Sequence, residues 1–225
     1  MLMVRSYGQY CALAKSLDVV GDRWSLLIVR ELLAGPQRYG DLLAALAPIA
    51  TDMLASRLRD LEADGVLTRR ELARPATGRV YELTERGRAL EDVVSAYIRW
   101  GRPLIETRQP DDAVRPQWVG RGVRAYARPD RPGVDIVLRL VMPEGAWTGR
   151  IGEQGIEDLD DDAAADITLT GRAETLMAAT HPDRVAALQE SGELTVDGDP
   201  AALAALSRVF DPAPAATAGT APPRR

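Results

Sequence analysis

Residues 51–65 constrain the fold more than any other segment, because they combine one apolar stripe with a clear stop. Leu54, Leu58 and Leu61 recur at i, i+4 and i+7, which is the spacing of one buried helix face. Thr51 suits the N-cap, and Gly65 follows the stripe as a C-terminal stop. The pattern predicts a helix that packs its leucines inward and leaves its other face free.

The flanking segments predict a winged helix-turn-helix. Four apolar residues ahead of the stripe form a short amphipathic helix, namely Tyr39, Leu42, Leu43 and Leu46. That helix ends before Pro48. Beyond the stripe, residues 66–72 and 79–84 have strand composition, and residues 75–78 between them have turn chemistry. Two short helices followed by a β-hairpin give the helix-turn-helix with its wing.

The outward face of the second helix carries small and polar residues near its N-terminus, which suits insertion into a DNA major groove. An ordinary solvated helix face has the same composition, and arginines around the hairpin favour the DNA interpretation. Arg74 and Arg79 flank the turn without an acidic partner evident in the sequence. The predicted DNA contacts are Arg38, Tyr39, Thr51, Asp52, Met53, Ala55, Ser56, Arg57, Arg59, Arg74, Thr77 and Arg79. For Tyr39, core packing is an equal alternative to a phosphate contact.

Charge is distributed unevenly along the 225 residues, whose net charge is −5. Residues 1–108 hold 16 basic and 14 acidic side chains, whereas residues 109–225 hold 12 basic and 19 acidic ones. The asymmetry predicts two domains with different roles, and DNA affinity would depend on local arginines.

Composition also excludes several classes of protein. No apolar run approaches the roughly 20 residues that span a bilayer, and no signal-peptide pattern opens the chain, so we expect a cytoplasmic protein without a membrane partner. One cysteine and one histidine exclude an internal disulfide and a cysteine–histidine zinc site. Catalytic and phosphate-loop motifs are absent, so we expect neither an enzyme nor a cofactor or metal.

The remaining pattern predicts an α+β chain with a linker and a tail. A helix is expected from Thr84 to about Trp100, followed by a polar linker at 109–116. Residues 117–211 form a second α+β domain, with Val119–Ala127 as its first strand and helices after Gly171. The Pro-, Ala- and Thr-rich residues 212–225 are expected to be disordered.

Several blocks in residues 1–108 resemble the HxlR-type branch of the MarR-like winged-helix regulators. They include C-x-L-A-K at Cys11, G-D-R-W at Gly21, G-P-Q-R-Y-G-D-L at Gly35 and V-Y-E-L-T-E-R-G at Val80. The resemblance implies a homodimeric regulator that binds double-stranded DNA. Many members begin the recognition helix with I-S-x-x-x-L, where this chain has I-A-T-D-M-L from Ile49.

Cys11 stands where members of that family often carry a cysteine, which in some of them senses oxidants or electrophiles. Lys15 at i+4 and a helix N-terminus would both favour the thiolate. The alternative is an inert packed thiol. Without a second cysteine, oxidation would give a sulfenic acid, a mixed disulfide or a bridge between subunits.

The second domain resembles the sterol-carrier-protein-like fold at A-D-I-T-L-T-G-R-A-E-T-L, from Ala165, and at G-E-L-T-V-D-G-D, from Gly192. That fold implies a sheet with helices over an apolar tunnel for a small hydrophobic ligand. The predicted pocket residues are Met142, Trp147, Leu176, Met177, Leu188, Leu203, Leu206 and Phe210. Plain core packing is the alternative for each of them. His181 has no partner evident in the sequence and is interpreted as a loop residue.

Two functional hypotheses follow. The first is a dimeric transcriptional regulator that responds to a hydrophobic ligand or to thiol oxidation. The alternative is a carrier of hydrophobic ligands that uses its winged helix for dimerisation or partner binding.

Overall fold

The computed structural model describes residues 6–72, 77–105, 108–109 and 111–211. Contacts divide the chain into two units, Met1–Ala96 and Tyr97–Arg225. Their boundary falls inside a helix, earlier than the boundary after residue 108 that the sequence suggested. The tail expected to be disordered, 212–225, lies outside the described residues. No helix within the described ranges is both long and apolar enough to cross a membrane.

The first unit is a winged helix-turn-helix, as the sequence predicts. Its elements in chain order are α1 Ala12–Val20, α2 Ser25–Leu32, β1 Gln37–Arg38, α3 Tyr39–Ala45, α4 Thr51–Ala63, β2 Leu67–Glu71, β3 Arg79–Leu83, α5 Glu85–Arg88 and the start of α6 Glu91–Gly101. The three strands form an antiparallel sheet in the order β1-β3-β2. The sequence expected one helix from Thr84 to about Trp100, but α5 and α6 are separate helices.

Burial of one helix face fixes the rotation of α4. Leu54, Leu58 and Leu61 are each at most 1% exposed, as their spacing predicts. Gly65 then adopts a φ of +68°, which an L side chain rarely adopts, and the chain leaves α4 toward β2. The N-cap prediction is wrong, because Ala50 occupies that position with extended backbone and Thr51 is the first helical residue.

The junction after the hairpin is held by a side-chain cap and a close backbone approach. Thr84 caps α5, as predicted, by accepting a hydrogen bond from the Gly87 N–H at 3.1 Å. A Cβ atom at Gly87 would overlap the Val66 carbonyl oxygen, so only glycine lets α5 approach the backbone just before β2 this closely.

The second unit combines one mixed sheet with helices. Its elements after α6 are a 3-10 helix Arg102–Ile105, α7 Pro116–Tyr126, β4 Asp135–Met142, β5 Gly145–Gly152, β6 Ile156–Leu159, β7 Ile167–Thr170, α8 Ala173–Ala178, a 3-10 helix Pro182–Arg184, α9 Val185–Glu190, β8 Thr195–Gly198 and α10 Pro200–Val209. The strand order is β6-β5-β4-β7-β8, and only β4 and β7 are parallel. Buried residues alternate along β4, at Ile136, Leu138, Leu140 and Met142.

The predicted strand Val119–Ala127 is wrong, because these residues belong to helix α7. Val119, Val123 and Tyr126 are buried at i, i+4 and i+7, which is a helical period. The valines and glycines of this segment favoured a strand and concealed that period. Gly120 lowers the helix propensity of this segment. It is needed for packing, because a Cβ there would overlap the indole ring of Trp147 on β5.

Two glycines in the first unit give a matched test of this packing. We expect Gly87→Ala to lower the free energy of unfolding by about 1–3 kcal/mol, because the new methyl group meets backbone that must move. Gly40→Ala in α3 meets no atom within 4 Å and should be neutral or stabilising by up to about 1 kcal/mol. Denaturant unfolding of both variants beside the unmodified chain checks this, and equal midpoints for the two variants would contradict the close approach.

Candidate nucleic-acid interface

The N-terminal half of α4 faces outward because its leucines point inward. Thr51, Asp52 and Met53 are exposed, while Ala55 and Ser56 are half-buried. This is the face that the sequence assigned to a major groove. Its residues are small or unbranched and so leave room for base edges.

Tyr39 links the two helices of the helix-turn-helix motif. Its hydroxyl donates a hydrogen bond to the Thr51 carbonyl oxygen at 2.9 Å. The tyrosine therefore neither sits in the core nor leaves its hydroxyl free, but ties α3 to the first turn of α4. Buried Leu42, Leu46 and Ile49 complete the turn between the helices.

Arg57 and Arg59 occupy different environments although they are two residues apart. Arg57 is held within the unit, with Nη2 3.2 Å from Asp60 Oδ2 and Nη1 3.8 Å from Asp22 Oδ2. Its Nε is buried without a hydrogen-bond partner among the described residues. Arg59 is exposed and makes no ion pair with a described residue. Arg59 is therefore the arginine of α4 that is free to reach a ligand.

The described arginines of the hairpin, or wing, are paired with carboxylates. Arg79 Nε lies 3.3 Å from Glu71 Oε1, so the expectation that Arg79 lacks an acidic partner is wrong. The reason is the register, which places Glu71 directly opposite Arg79 on the neighbouring strand. Arg70 pairs with Glu82 at 3.0 Å on a diagonal, because the residue directly opposite Arg70 is Val80. Such exposed pairs contribute little to stability, but they reduce the positive field of the wing.

The remaining predicted contacts lie around the turn of the wing. Arg38 on β1 is exposed, and its Nη1 would be 3.0 Å from a Cβ at Gly78, so the guanidinium lies over the turn. Thr77 is exposed beside it. Arg74 lies outside the described residues. Both elements that the sequence assigned to DNA, α4 and the wing, thus belong to one compact unit.

Comparison with known proteins identifies this unit. The sequence profile of the HxlR-like helix-turn-helix family matches residues 19–109. The uncharacterized HTH-type transcriptional regulator sll1512 of Synechocystis sp. is 35% identical over 99 residues, which are 44% of this chain and 73% of that protein. The uncharacterized HTH-type transcriptional regulator YvaP of Bacillus subtilis is 34% identical over 92 residues, which are 41% of this chain and 85% of YvaP. The chain belongs to the HxlR-like helix-turn-helix family.

One solved structure in this comparison is the redox regulator HypR in its oxidized form. It is 31% identical, the match covers 44% of this chain and 99% of HypR, and the TM-score is 0.40. The relatives sll1512 and YvaP are transcriptional regulators, which fits the expectation of a non-enzyme. Each of these matches covers less than half of this chain.

In this HxlR-like chain, Cys11 is a free and exposed thiol at the N-cap of α1. Its carbonyl oxygen accepts a hydrogen bond from the Lys15 N–H at 2.9 Å. The Lys15 ammonium lies 3.7 Å from Asp18 Oδ2. Hydrogen bonds from the Tyr7 N–H and the Ser6 hydroxyl lower the pKa of Asp18. Because the Cys11 thiol is exposed, the alternative of a packed thiol is wrong.

Exposed apolar side chains on α6 are a feature that sequence reasoning did not single out. Val93, Tyr97 and Trp100 recur at i, i+4 and i+7 and are 39%, 55% and 75% exposed. Near the N-terminus, Tyr10 and Leu13 are also exposed. The signal was present in the sequence, because α6 has apolar residues on more of its circumference than one buried stripe needs.

The eight residues predicted to line a pocket all lie in or against one packed core of the second unit. Trp147 is 5% exposed, and its indole N–H donates to Asp158 Oδ1 at 2.7 Å. Its ring fills the space that Gly120 and Gly149 leave open. Core packing alone accounts for this placement, and ligand binding by these residues stays a prediction.

His181 lies in the loop between α8 and the second 3-10 helix, as predicted, and is buried there, at 7% exposure. Its Nδ1 lies 3.2 Å from the Asp211 carbonyl oxygen. Burial lowers the pKa of His181, and the positive charges of Arg102 and Arg184 lower it further. Arg102 is itself fixed nearby, with Nη2 2.7 Å from the Thr180 hydroxyl oxygen and the guanidinium 4.1 Å from the centre of the Tyr126 ring.

The lowered pKa of His181 predicts how stability depends on pH. Below its ordinary pKa of about 6.5 the unfolded chain binds the proton more readily than the folded chain does, so acidification destabilises the fold. We expect the denaturant concentration at the unfolding midpoint to decrease as the pH is lowered from about 7.5 to about 5.5, and to decrease less in His181→Asn. This is the only histidine of the chain, so no other imidazole contributes. Parallel pH profiles of the two proteins would contradict the prediction.

Proposed function

We propose that this chain is a homodimeric transcriptional regulator that inserts α4 into the major groove of its operator and lays the wing along the DNA backbone. The family assignment supports this function over the alternative of a hydrophobic-ligand carrier. The observation that carries the proposal is the outward face of α4, which presents an exposed arginine beside small side chains. This residue, Arg59, makes no ion pair with a described residue. Electrostatic attraction to DNA is local, because the chain as a whole is acidic.

The homodimer proposal is supported by the exposed apolar residues. Trp100 and Tyr97 place aromatic surface in water, which a second copy of the chain would cover. A two-fold dimer presents two recognition helices to successive major grooves about 34 Å apart. The operator of such a dimer is a pseudo-palindrome.

The second unit is proposed as a sterol-carrier-like ligand domain. The two segments that carry that resemblance fold into β7 with α8 and into β8, and β7 and β8 are antiparallel neighbours in the sheet. Their adjacency supports the assignment of both segments to one domain. A hydrophobic ligand bound there changes DNA affinity only through a different affinity for two conformations of the regulator.

Thiol oxidation at Cys11 is proposed as a second input. The thiol is exposed, as an oxidant requires, and it stands at the start of a helix in the DNA-binding unit. Since this is the only cysteine in the chain, a stable disulfide within one chain cannot form. The oxidised product is a sulfenic acid, a mixed disulfide or a bridge between two subunits.

Arg59→Ala tests the recognition helix. We expect it to weaken operator binding by about 1–3 kcal/mol and to relax base preference at one position, because an exposed arginine without an ion pair is lost. Arg57→Ala should mainly lower stability, since Arg57 serves contacts within the unit. Arg172→Ala, which removes an exposed arginine of the second unit that pairs with Glu174, is the control for the loss of one positive charge.

The measurement for these variants is binding to operator and to scrambled DNA at one salt concentration, alongside denaturant unfolding. If Arg59→Ala and Arg172→Ala bind the operator equally well while both remain folded, α4 is not the recognition helix.

Cys11→Ser tests the oxidation input. Mild oxidant should weaken operator binding by the unmodified chain and leave Cys11→Ser unaffected, because sulfur chemistry at this position is the only thiol reaction available. Intact mass measured before and after treatment identifies the product. An equal loss of binding in both proteins, or a mass change without loss of binding, would remove Cys11 from the mechanism.

A further inference from the structure

A groove of about 220 Å³ in the first unit belongs to none of the sites described above. It lies between α1, the segment around α5, and Val66, which directly precedes β2. Its apolar residues are Val19, Val20, Val66 and Leu90, and its charged residues are Lys15 and Arg86. Ser16 also lines it, with its hydroxyl donating to the Ala12 carbonyl oxygen. Val20 and Val66 are buried, whereas the two cations are exposed.

Both cations keep hydrogen-bonding capacity for a ligand. Lys15 Nζ is 3.7 Å from Asp18 Oδ2, which is beyond hydrogen-bond distance, and Asp18 already accepts bonds from Ser6 and Tyr7. Arg86 uses Nη1 to donate to the Asp64 carbonyl oxygen at 2.8 Å, and a guanidinium has five N–H donors in all. Lys15 is also the only lysine in the sequence, where the other 27 basic residues are arginines.

The lining selects one class of ligand. Two cations beside apolar side chains complement one anionic group attached to an apolar chain. The apolar residues are valines and a leucine and offer no aromatic ring for stacking. The volume is below the roughly 300 Å³ at which pockets for drug-sized ligands begin. We propose that this groove binds a short aliphatic carboxylate of about six carbons, with its carboxylate held by Lys15 and Arg86.

Such a ligand would act directly on the end of the recognition helix. Arg86 holds the Asp64 carbonyl, and the Thr84 hydroxyl donates to the Gly65 carbonyl at 2.7 Å. These contacts satisfy carbonyl groups where α4 ends. A carboxylate that draws Arg86 away from Asp64 therefore loosens the same end of α4. This input lies within the first unit and requires no reaction at the Cys11 thiol, although Lys15 and Cys11 share one helix turn.

The single lysine makes binding observable without DNA. Reductive methylation with ¹³C labels Lys15 and the N-terminal amine of the full chain and keeps the positive charge of the lysine. Titration with hexanoate should shift the Lys15 methyl signal saturably below about 10 mM. Hexanamide, which has the same chain without the charge, should leave the signal in place.

Two arginines on α5 provide the matched pair of variants. Arg86→Gln should weaken hexanoate binding at least about tenfold, because one charge-assisted hydrogen bond is lost. Arg88→Gln removes a neighbouring exposed charge outside the groove and should bind as the unmodified chain does. Val19→Phe, which fills the apolar part of the groove, should abolish the shift while Lys15 remains.

Each outcome decides the proposal. No saturable Lys15 shift, equal binding of hexanamide, or equal weakening in Arg86→Gln and Arg88→Gln overturns it. Thermal unfolding of each variant establishes that it is folded. If Val19→Phe does not fold, the comparison of the two arginine variants and of the two ligands still decides. Since no DNA is present, a negative result leaves the proposed regulator function to its own test.

Discussion

Burial of three leucines on one side of α4 is the constraint on which the rest of the first unit depends. Leu54, Leu58 and Leu61 leave the helix no freedom to rotate, because turning it would expose all three to water. The face opposite is thereby presented to solvent whatever its composition. A tyrosine hydroxyl at the start of the helix and a glycine at its end then set where the helix begins and stops. Core packing therefore decides which face of α4 is exposed and available for contact with a ligand.

The electrostatics of this unit differ from those of a strongly basic DNA-binding domain. Most described arginines on the wing and on α4 form an ion pair with a carboxylate. Among the arginines predicted to contact DNA, Arg59 and Arg38 make no ion pair with a described residue. Long-range attraction to DNA is correspondingly weak. Specific contacts at short range must supply a larger share of the binding free energy than in a basic domain.

The sequence correctly predicted the elements whose patterns lie within a few consecutive residues. The leucine stripe, the hairpin and the Thr84 cap are each contained within a few residues, and the structure has all three. It failed for α7, where Gly120 packs against Trp147 and Gly122 against Met177, and these glycines made the helix look like a strand. It also missed the pairing of Arg79 with Glu71, because cross-strand partners depend on a register that the sequence does not state. The exposure of Trp100 and Tyr97 depends on which faces tertiary contacts leave uncovered, and periodicity alone does not reveal that.

The cross-strand pairs on the wing have a consequence for how binding responds to salt. Glu71 and Glu82 act as counter-ions built into the protein, since each neutralises an arginine on the opposite strand. When a phosphate approaches such an arginine, it displaces a glutamate that remains tethered nearby, and that glutamate draws cations back from solution. Fewer ions are then released overall than the number of arginines implies. In the proposed complex with DNA, such a wing would make binding depend only weakly on ionic strength, so affinity would change little as the salt concentration rises and falls.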